Sequence, residues 1–336
     1  MKDIAAQAGV SIALVSYVLN NKKEGRINKD IALKIREIAR QLNYRTNQIA
    51  KSLKTSKTNT IGLIVADISN NFSSNLARII EDEADKFGYT VIFGSSDENE
   101  KKFSKLLDTL LNRQVDGLIM APPIHSEKEI KELIRQQIPF VLIDRFYPEI
   151  NTNYVALDNF SAAYQGTKHL IDNGRSRIGM ITYGTSLHHL EERKRGYAAA
   201  LKDNQIPFRK ARLKEVDILT KKEDIENAID TLLASPISID ALFFGSNSIA
   251  LHGLKYVNSL AIRVPDDIAI ISFDETEALD LFYAPLTFIR QPLPEMGESA
   301  VRILIDNINQ NNKVKQVVMD GQLIVKASSL AKKQGV

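Results

Sequence analysis

Nine short apolar runs alternate with amphipathic segments between residues 59 and 330, and this alternation restricts the possible folds more than any other feature of the sequence. Runs such as IGLIVAD, GLIMA, FVLID and IAIISFD have the length and β-branched content of buried strands. Strands that alternate with helices are typical of parallel sheets covered on both faces. Because so many strands exceed one ordinary sheet, the pattern predicts an α/β body of two doubly wound parallel-sheet subdomains.

Polar side chains follow the ends of several of these runs. Doubly wound sheets bind ligands outside the carboxyl ends of their strands, where such side chains converge. Carboxylates and amides beside the aromatic rings of Phe72 and Phe273 suit a polyhydroxylated ligand. Each Asp or Asn alone is more often a turn former, but their repetition favours a ligand site. The strand runs end in Asp67, Ser95-Ser96-Asp97, Asp144-Arg145, Asp158-Asn159, Ser246-Asn247 and Asp274-Glu275, and the predicted site residues among them are Asp67, Asp97, Asp144, Asn247 and Asp274.

Composition and motifs exclude several classes of protein. The sequence has no cysteine, which excludes disulfides and thiolate metal sites. It lacks a bilayer-spanning apolar run and a signal-peptide pattern, so we expect a cytoplasmic protein with no membrane partner. No phosphate-binding loop, nucleophile elbow or HExxH motif is present, so we expect no catalysis, cofactor or metal. The adjacent His188 and His189 are predicted to lie on the surface at a helix start.

Positive charge is concentrated at the N-terminus. Residues 1–59 contain 12 Lys and Arg but 4 Asp and Glu, a net charge of +8. The whole chain carries +3, so the remainder carries −5. A basic head on a mildly acidic body is expected when only the head contacts a polyanion such as DNA.

Three helical patterns occupy this head. The first ends at Gly9, a residue suited to the left-handed turn after a helix. The second begins after the N-cap residue Ser11 and runs to about Leu19, and the third begins after Asn28. Two short helices joined by a tight turn, with a third helix completing the core, predict a helix-turn-helix. The predicted apolar stripe of the third helix is Ile31, Ile35, Ile38, Ala39 and Leu42.

The second helix has an outer face without charge. Val15, Val18 and Leu19 share its inner face, while the outer face consists of Ala13, Ser16 and Tyr17. A small uncharged face flanked by basic residues can enter a DNA major groove and contact base edges. The alternative is an amphipathic helix packed on a neighbouring domain.

Three motifs in this order resemble the lactose-repressor family of bacterial transcription regulators. KDIAAQAGVSIALVSYVLN is similar to the DNA-binding head of that family, LNYRTNQIAKSLKT to its hinge and TIGLIVADISNNF to the start of its effector domain. The resemblance implies a periplasmic-binding-protein-like body. It implies a head at 1–45, a hinge helix at 46–58 and a body at 59–336, with an N-subdomain at about 59–159 plus 290–325 and a C-subdomain at about 160–289. The alternative for 46–58 is a plain flexible linker.

The resemblance also implies roles for residues of the body. Arg193 matches the arginine that clamps the effector, and Asp274 matches the acidic residue that receives it. Asn247 stands where the family commonly has aspartate. Phe72 matches the first aromatic residue of the effector lip, and Ser73 replaces the second.

The hinge and the head are expected to bind DNA together. The resemblance implies that the hinge folds on DNA beside that of a dimer mate, with Leu53 as a minor-groove wedge. At the position of Tyr17, members of the family commonly have arginine or histidine. The predicted DNA-binding residues are Ser11, Ile12, Ala13, Ser16, Tyr17, Asn20, Lys22, Arg26, Asn47, Ala50, Lys51 and Leu53.

The predicted function is a homodimeric transcriptional regulator, acting as a repressor on a palindromic operator in double-stranded DNA. A sugar-like effector bound between the body subdomains would control operator affinity. One alternative is a cytoplasmic sugar-binding receptor with no role on DNA, and another is an α/β enzyme such as a sugar kinase or isomerase.

Overall fold

The computed structural model describes residues 1–20, 22, 26–44, 57–219, 222–234, 236, 238–310 and 313–330. It divides into two compact units, Met1–Thr58 and Asn59–Val336. The predicted hinge residues Asn47, Ala50, Lys51 and Leu53 lie outside the described residues. Among the described helices, none alone is long and apolar enough to cross a membrane, although the bent pair formed by the first two passes by length and composition.

The described part of the head contains three helices, α1 (Lys2–Ala8), α2 (Ile12–Leu19) and α3 (Lys29–Gln41). The axes of α1 and α2 are bent by 103° across a short turn. Gly9 takes the left-handed conformation there, with φ of 73°, which costs glycine no Cβ clash. This geometry confirms the predicted helix-turn-helix.

Side-chain caps start α2 and α3 as predicted. Ser11 Oγ accepts from the Leu14 backbone N–H at 3.2 Å. Asn28 Oδ1 accepts from the N–H groups of Asp30 and Ile31. The buried head core includes Ile4, Val15, Val18, Ile35, Ile38 and Ala39.

The predicted apolar stripe of α3 is too long. Ile31 is 37% exposed and Leu42 is 41% exposed, whereas Ile35, Ile38 and Ala39 are buried. Ile31 lies in the first turn and Leu42 is the C-cap residue. Only the middle of α3 packs into the small head core, so apolar periodicity overestimates its buried face.

The first sheet of the body contains six strands in the order β11-β5-β4-β3-β1-β2. All neighbouring strands are parallel. The strands are β1 (Thr60–Val65), β2 (Thr90–Ser95), β3 (Gly117–Met120), β4 (Phe140–Ile143), β5 (Tyr154–Leu157) and β11 (Gln316–Met319). The helices of this subdomain are α4 (Asn71–Asp85), α5 (Glu100–Asn112), α6 (Glu127–Arg135) and α11 (Leu293–Ile308).

The second sheet has the order β12-β10-β9-β8-β6-β7. Its strands are β6 (Ile178–Tyr183), β7 (Leu213–Val216), β8 (Ala241–Phe244), β9 (Ala269–Phe273), β10 (Thr287–Arg290) and β12 (Gln322–Ile324). Its helices are α7 (Asn159–Asp172), α8 (His188–Asp203), α9 (Lys222–Leu233) and α10 (Asn247–Val257). Short 3-10 turns cover Lys210–Arg212, Glu277–Leu281 and Ala327–Ser329.

The two predicted doubly wound subdomains are confirmed. The last strand, however, belongs to the C-subdomain and not to the N-subdomain as predicted. The sequence analysis assigns 290–325 to the N-subdomain. In the structure, β12 pairs antiparallel with β10, so Gln322–Ile324 extends the sheet of the C-subdomain. A three-residue edge strand has too short an apolar pattern to reveal its partner. The chain therefore crosses between subdomains after β5, after β10 and after β11.

The helices α7 and α8 pack closely against each other at Gly196. A Cβ atom at Gly196 on α8 would lie 2.2 Å from the Phe160 backbone oxygen and 2.9 Å from the Tyr164 nitrogen. These neighbours are backbone atoms, so they cannot rotate away. Only glycine therefore allows α8 to lie this close to the start of α7.

We expect Gly196→Ala to destabilise the body by about 2 kcal/mol, because the helices must separate. Urea denaturation followed by circular dichroism would measure the loss. Gly88→Ala is the matched control: its φ of 74° strains alanine, but the space around it is open. A smaller loss at Gly196 than at Gly88 would contradict the packing argument.

Candidate functional site

The outer face of α2 is uncharged in the structure. Ile12, Ala13 and Tyr17 are exposed, and Ser16 is half-buried. The side-chain Nδ2 of Asn20 donates to the Ser16 backbone oxygen at 2.8 Å and closes the helix end. Ser11 and Asn20 therefore serve as helix caps, which orient the face that Ile12, Ala13 and Tyr17 present.

Basic side chains flank this face. Lys22 and Arg26 are both exposed. Lys34 on α3 donates to the Ala8 backbone oxygen at 3.3 Å, so its charge lies at the C-terminal end of α1. An uncharged helix face beside exposed cations has the chemistry of a major-groove reader next to phosphate contacts.

In the body, a cavity lies where the carboxyl ends of strands from both sheets meet. Its volume is about 100 Å³. Seven of the eight predicted effector residues line it, namely Asp67, Phe72, Ser73, Asp144, Arg193, Asn247 and Asp274.

Asp97 is not among the lining residues. Its carboxylate accepts from Ser95 Oγ and pairs with Lys102, and these hydrogen bonds lower its pKa, the one from Lys102 most. The next residue, Glu98, lines the cavity instead. Asp97 and Glu98 both have positive φ, 50° and 55°. The sequence pattern does not predict this turn, which makes Glu98 the lining residue.

Arg145 and Glu98 form a bidentate ion pair on the N-subdomain side of the cavity. Arg145 Nη1 and Nη2 donate to the two Glu98 oxygens, each at 2.6 Å. Arg145 Nε lies 3.7 Å from an Asp144 oxygen and has no hydrogen-bond partner among the described residues. Burial lowers the pKa of Arg145, but Glu98 and Asp144 more than offset this, so its pKa is raised and it stays charged.

Asp144 is buried between cationic neighbours. Burial raises the pKa of its carboxyl from 3.8 to about 6, although Arg145 and Arg193 act to lower it. Asp144 has a φ of 65°, and Asp274 at the end of β9 has a φ of 67°. Aspartate is one of the few residue types enriched in this left-handed region.

Arg193 on α8 is fixed by three contacts. Its Nε donates to Asn159 Oδ1 at 2.7 Å, and its Nη1 donates to the Gly245 backbone oxygen at 2.8 Å. Its guanidinium carbon lies 3.7 Å from the centroid of the Phe273 ring, a cation–π contact. Burial lowers the pKa of Arg193, while Asp274 and Asp144 oppose the shift.

Neutral hydrogen bonds join the two subdomains across the cavity. Asn70 Oδ1 caps α4 by accepting from the Phe72 N–H at 3.0 Å. The same oxygen accepts from Asn247 Nδ2 at 2.8 Å. Because Asn70 presents an acceptor, residue 247 must donate, which asparagine does and aspartate cannot. The asparagine at this position therefore matches its partner across the cavity. Asn71 Nδ2 adds a second bridge to Thr276 Oγ1 at 3.1 Å.

The prediction for His189 was wrong. The helix α8 does start at His188, but His189 is buried and lines the cavity rather than the surface. Burial lowers its pKa well below the usual value, and Arg145, Arg193 and His188 lower it further, so the imidazole is neutral. Its Nδ1 has no partner within the described part of the chain.

Sequence reasoning did not identify several lining residues, namely Asn70, Glu98, Tyr183, His189, Ser248 and Gln291. Arg145 and Ser246 also line the cavity, and both belong to the predicted strand ends. Glu98 follows the strand-end residue Asp97 by one position, so that rule came close to it. Gln291 Nε2 donates to Asp274 Oδ1 at 2.6 Å from the crossover before α11, a place without a sequence signal. Within the described ranges, no group of three or more His, Asp or Glu could hold a metal ion.

Comparison with known proteins agrees with both units. The family described as "Bacterial regulatory proteins, lacI family" matches residues 1–47, and the "Periplasmic binding protein-like domain" matches residues 167–329. The chain is 33% identical to catabolite control protein A of Priestia megaterium, covering 94% of each chain. It is 31% identical to the ribose operon repressor of Halalkalibacterium halodurans, covering 92% of this chain and 90% of that protein.

Solved structures share the fold. The lac repressor dimer bound to operator and the anti-inducer ONPF is similar with a TM-score of 0.86 at 22% identity, covering 98% of each chain. The transcription regulator CcpA of Lactococcus lactis has a TM-score of 0.74 at 27% identity, covering 80% of this chain and 98% of that one. These relatives are transcriptional regulators rather than enzymes. Its head matches the family model, and the chain is similar to these regulators over more than nine-tenths of its length. The chain therefore belongs to the lacI family of bacterial regulatory proteins.

Proposed function

We propose that the protein represses transcription by binding a palindromic operator as a homodimer, and that a sugar-like effector in the body cavity controls its operator affinity. The observation that carries this proposal is the presence, in one chain, of an uncharged recognition face on α2 and a polar cavity between two subdomains. Because the target is chromosomal DNA, we place the protein in the cytoplasm.

The cavity has the chemistry to bind hydroxyl groups. Asp274 and Gln291 Oε1 present acceptors, and Arg193 presents the remaining N–H groups of its guanidinium. A hydroxyl both donates and accepts a hydrogen bond, so it can satisfy such a mixed set. Phe72 contributes an apolar surface at the same cavity for ring carbons.

The mechanism we propose couples this cavity to DNA through subdomain closure. The neutral bridges from Asn70 and Asn71 are weak enough to exchange for ligand contacts. An effector that favours one closure angle shifts the population of that state. The proposed DNA-binding residues of the hinge are Asn47, Ala50, Lys51 and Leu53, with Leu53 as the minor-groove wedge, and the hinge would transmit the change to the operator.

Exposed apolar side chains support a homodimer of the bodies. Phe93 on the edge strand β2 is 59% exposed, and Ile92 beside it is also exposed. Leu281 is 87% exposed, and Tyr283 lies near it in the sequence and is exposed too. Large apolar side chains on an edge strand are unfavourable unless another chain covers them. One recognition helix contacts few base pairs, so paired heads suit a palindromic site.

Two assays with the full chain test the function. Binding-site selection from random duplexes should give a palindrome, and a thermal-shift screen of sugars should give at least one stabilising ligand. A ligand at a hundred times its dissociation constant stabilises by about 2.7 kcal/mol. Ligand stabilisation without any selected DNA motif would instead support a sugar-binding receptor with no role on DNA.

The side chain at position 17 should affect which operator sequence the protein prefers. Arginine reads guanine through a bidentate pair, whereas a tyrosine ring can contact a thymine methyl and its hydroxyl makes fewer base contacts. We expect Tyr17→Arg to shift the selected motif towards guanine at one symmetric position, by about 1 to 3 kcal/mol of discrimination. Binding-site selection on both proteins measures this shift. An unchanged motif would mean that Tyr17 contacts only the DNA backbone.

A further inference from the structure

The cavity contains more negative than positive side chains. Four carboxylates line it, those of Asp67, Glu98, Asp144 and Asp274, and only two guanidiniums, those of Arg145 and Arg193. His189 is neutral. A phosphate or carboxylate group on the ligand would therefore need a cation that these carboxylates do not already compensate.

The charge of Arg145 is already compensated by neighbouring carboxylates. A guanidinium binds phosphate and carboxylate through two parallel N–H donors. In Arg145 the Nη1 and Nη2 donors bind Glu98, at 2.6 Å on each side, and both side chains are largely buried, at 11% and 14% exposure. The remaining Nε edge faces Asp144, with Nε 3.7 Å from a carboxylate oxygen. Glu98 thus occupies the position that an anionic ligand group would take.

Arg193 does not replace Arg145 as a cation for an anionic ligand group. Its Nε and Nη1 already bind Asn159 and the Gly245 backbone oxygen, and its flat face lies on Phe273. One N–H of Nη1 and both N–H groups of Nη2 remain for a ligand, but Asp274 and Asp144 already act on the charge of Arg193.

We propose that Glu98 determines the specificity of the cavity by holding the Arg145 fork, so that the effector is a polyhydroxylated molecule without a phosphate or carboxylate group. This inference rests on the proposed function, since it assumes that the effector occupies this cavity. It adds to that function the charge class of the ligand and the residue that sets it.

Three unpartnered atoms at the cavity suit such a ligand. Arg145 Nε is a donor, Gln291 Oε1 is an acceptor, and His189 Nδ1 is one or the other according to its tautomer. Arg145, His189 and Gln291 are lining residues, and none of these atoms has a hydrogen-bond partner in the described structure. Satisfying this mixed set takes both a donor and an acceptor, which a hydroxyl group supplies, whereas a phosphate dianion has only acceptors to offer.

The test uses inorganic phosphate as the probe and the full-length protein. Isothermal titration calorimetry compares the wild type, Glu98→Gln and the double variant Glu98→Gln with Arg145→Gln. We expect no measurable phosphate binding by the wild type, at least tenfold tighter binding by Glu98→Gln, and loss of that gain in the double variant. Phosphate affinity that is the same in Glu98→Gln as in the wild type would overturn the proposal, as would a gain that persists without Arg145.

A wild-type measurement covers the case in which Glu98→Gln does not fold. Thermal shifts are compared for glucose against glucose 6-phosphate, ribose against ribose 5-phosphate, and galactose against galacturonate. The charged member of each pair should stabilise the protein less than its neutral partner or not at all, and a charged member that stabilises it more would overturn the proposal. Failure of the proposed function looks different, because then no sugar changes operator affinity, whatever the phosphate result.

Discussion

Asp144→Asn is expected to stabilise the protein by about 3 kcal/mol at pH 7.5. Burial raises the pKa of this carboxyl from 3.8 to about 6, and each unit of pKa shift corresponds to about 1.4 kcal/mol. The folded state therefore holds the proton more tightly than the unfolded state. This tighter proton binding by the Asp144 carboxyl stabilises the folded state fully below pH 3.8, and the stabilisation is lost as the pH rises through about 6. Asparagine is neutral at every pH, so it avoids the cost of the buried carboxylate.

The pH dependence identifies the cause. At pH 5 the folded carboxyl is largely protonated, so the gain from asparagine should fall to about half of its value at pH 7.5. Urea denaturation at both pH values measures the two gains. Asp172→Asn is the matched control, because Asp172 forms an exposed i, i+4 pair with Lys168 and should change stability by less than about 0.5 kcal/mol. An Asp144→Asn gain that does not depend on pH would contradict the burial argument.

Arg193→Gln should weaken effector binding at least a hundredfold, about 2.7 kcal/mol. The shorter neutral side chain loses the bonds to Asn159 and the Gly245 oxygen and the contact with Phe273. Hydrogen bonds to charged groups contribute about 1.5 to 3 kcal/mol each, so we also expect the free energy of unfolding to fall by about 3 kcal/mol. Operator binding without effector should persist, because Arg193 lies in the body and not in the head.

Calorimetry with a sugar from the thermal-shift screen measures the loss of binding. The matched control is Arg195→Gln on the same helix, because Arg195 is mostly exposed and pairs with Glu192. Effector affinity in that control should equal that of the wild type. If Arg193→Gln bound effector as well as the control does, the ligand would not occupy this cavity.

The sequence predicts the buried parts of the fold better than the edges. The nine apolar runs correspond to β1 to β6 and β8 to β10. The strands outside these nine runs are β7, β11 and β12, and each lies at the edge of its sheet. An edge strand has one neighbour and partly exposed faces, so polar residues such as Lys214 and Glu215 in β7 conceal it. Burial, rather than strand formation itself, produces the pattern that sequence reasoning detects.

The residues of the site also divide into those that a sequence pattern predicts and those that it does not. The strand-end rule found Asp144 and Asp274, because parallel strands present their carboxyl ends at one edge. Asn247 also follows a predicted strand end, whereas Arg193 came from the family resemblance alone, because no local pattern marks a helix residue as cavity-lining. Neither route found the bond between Asn70 and Asn247. It joins residues far apart in sequence, and only the meeting of the two subdomains creates it.

The central claim is that the body cavity and the operator are thermodynamically coupled. The most direct test titrates the full-length protein with its selected operator, with and without a saturating sugar from the thermal-shift screen, and then titrates the sugar with and without operator. We predict that the sugar changes operator affinity between about 5-fold and 150-fold. The operator must change sugar affinity by the same factor. Equal operator affinity in the presence and absence of a sugar that demonstrably binds the cavity would contradict the claim.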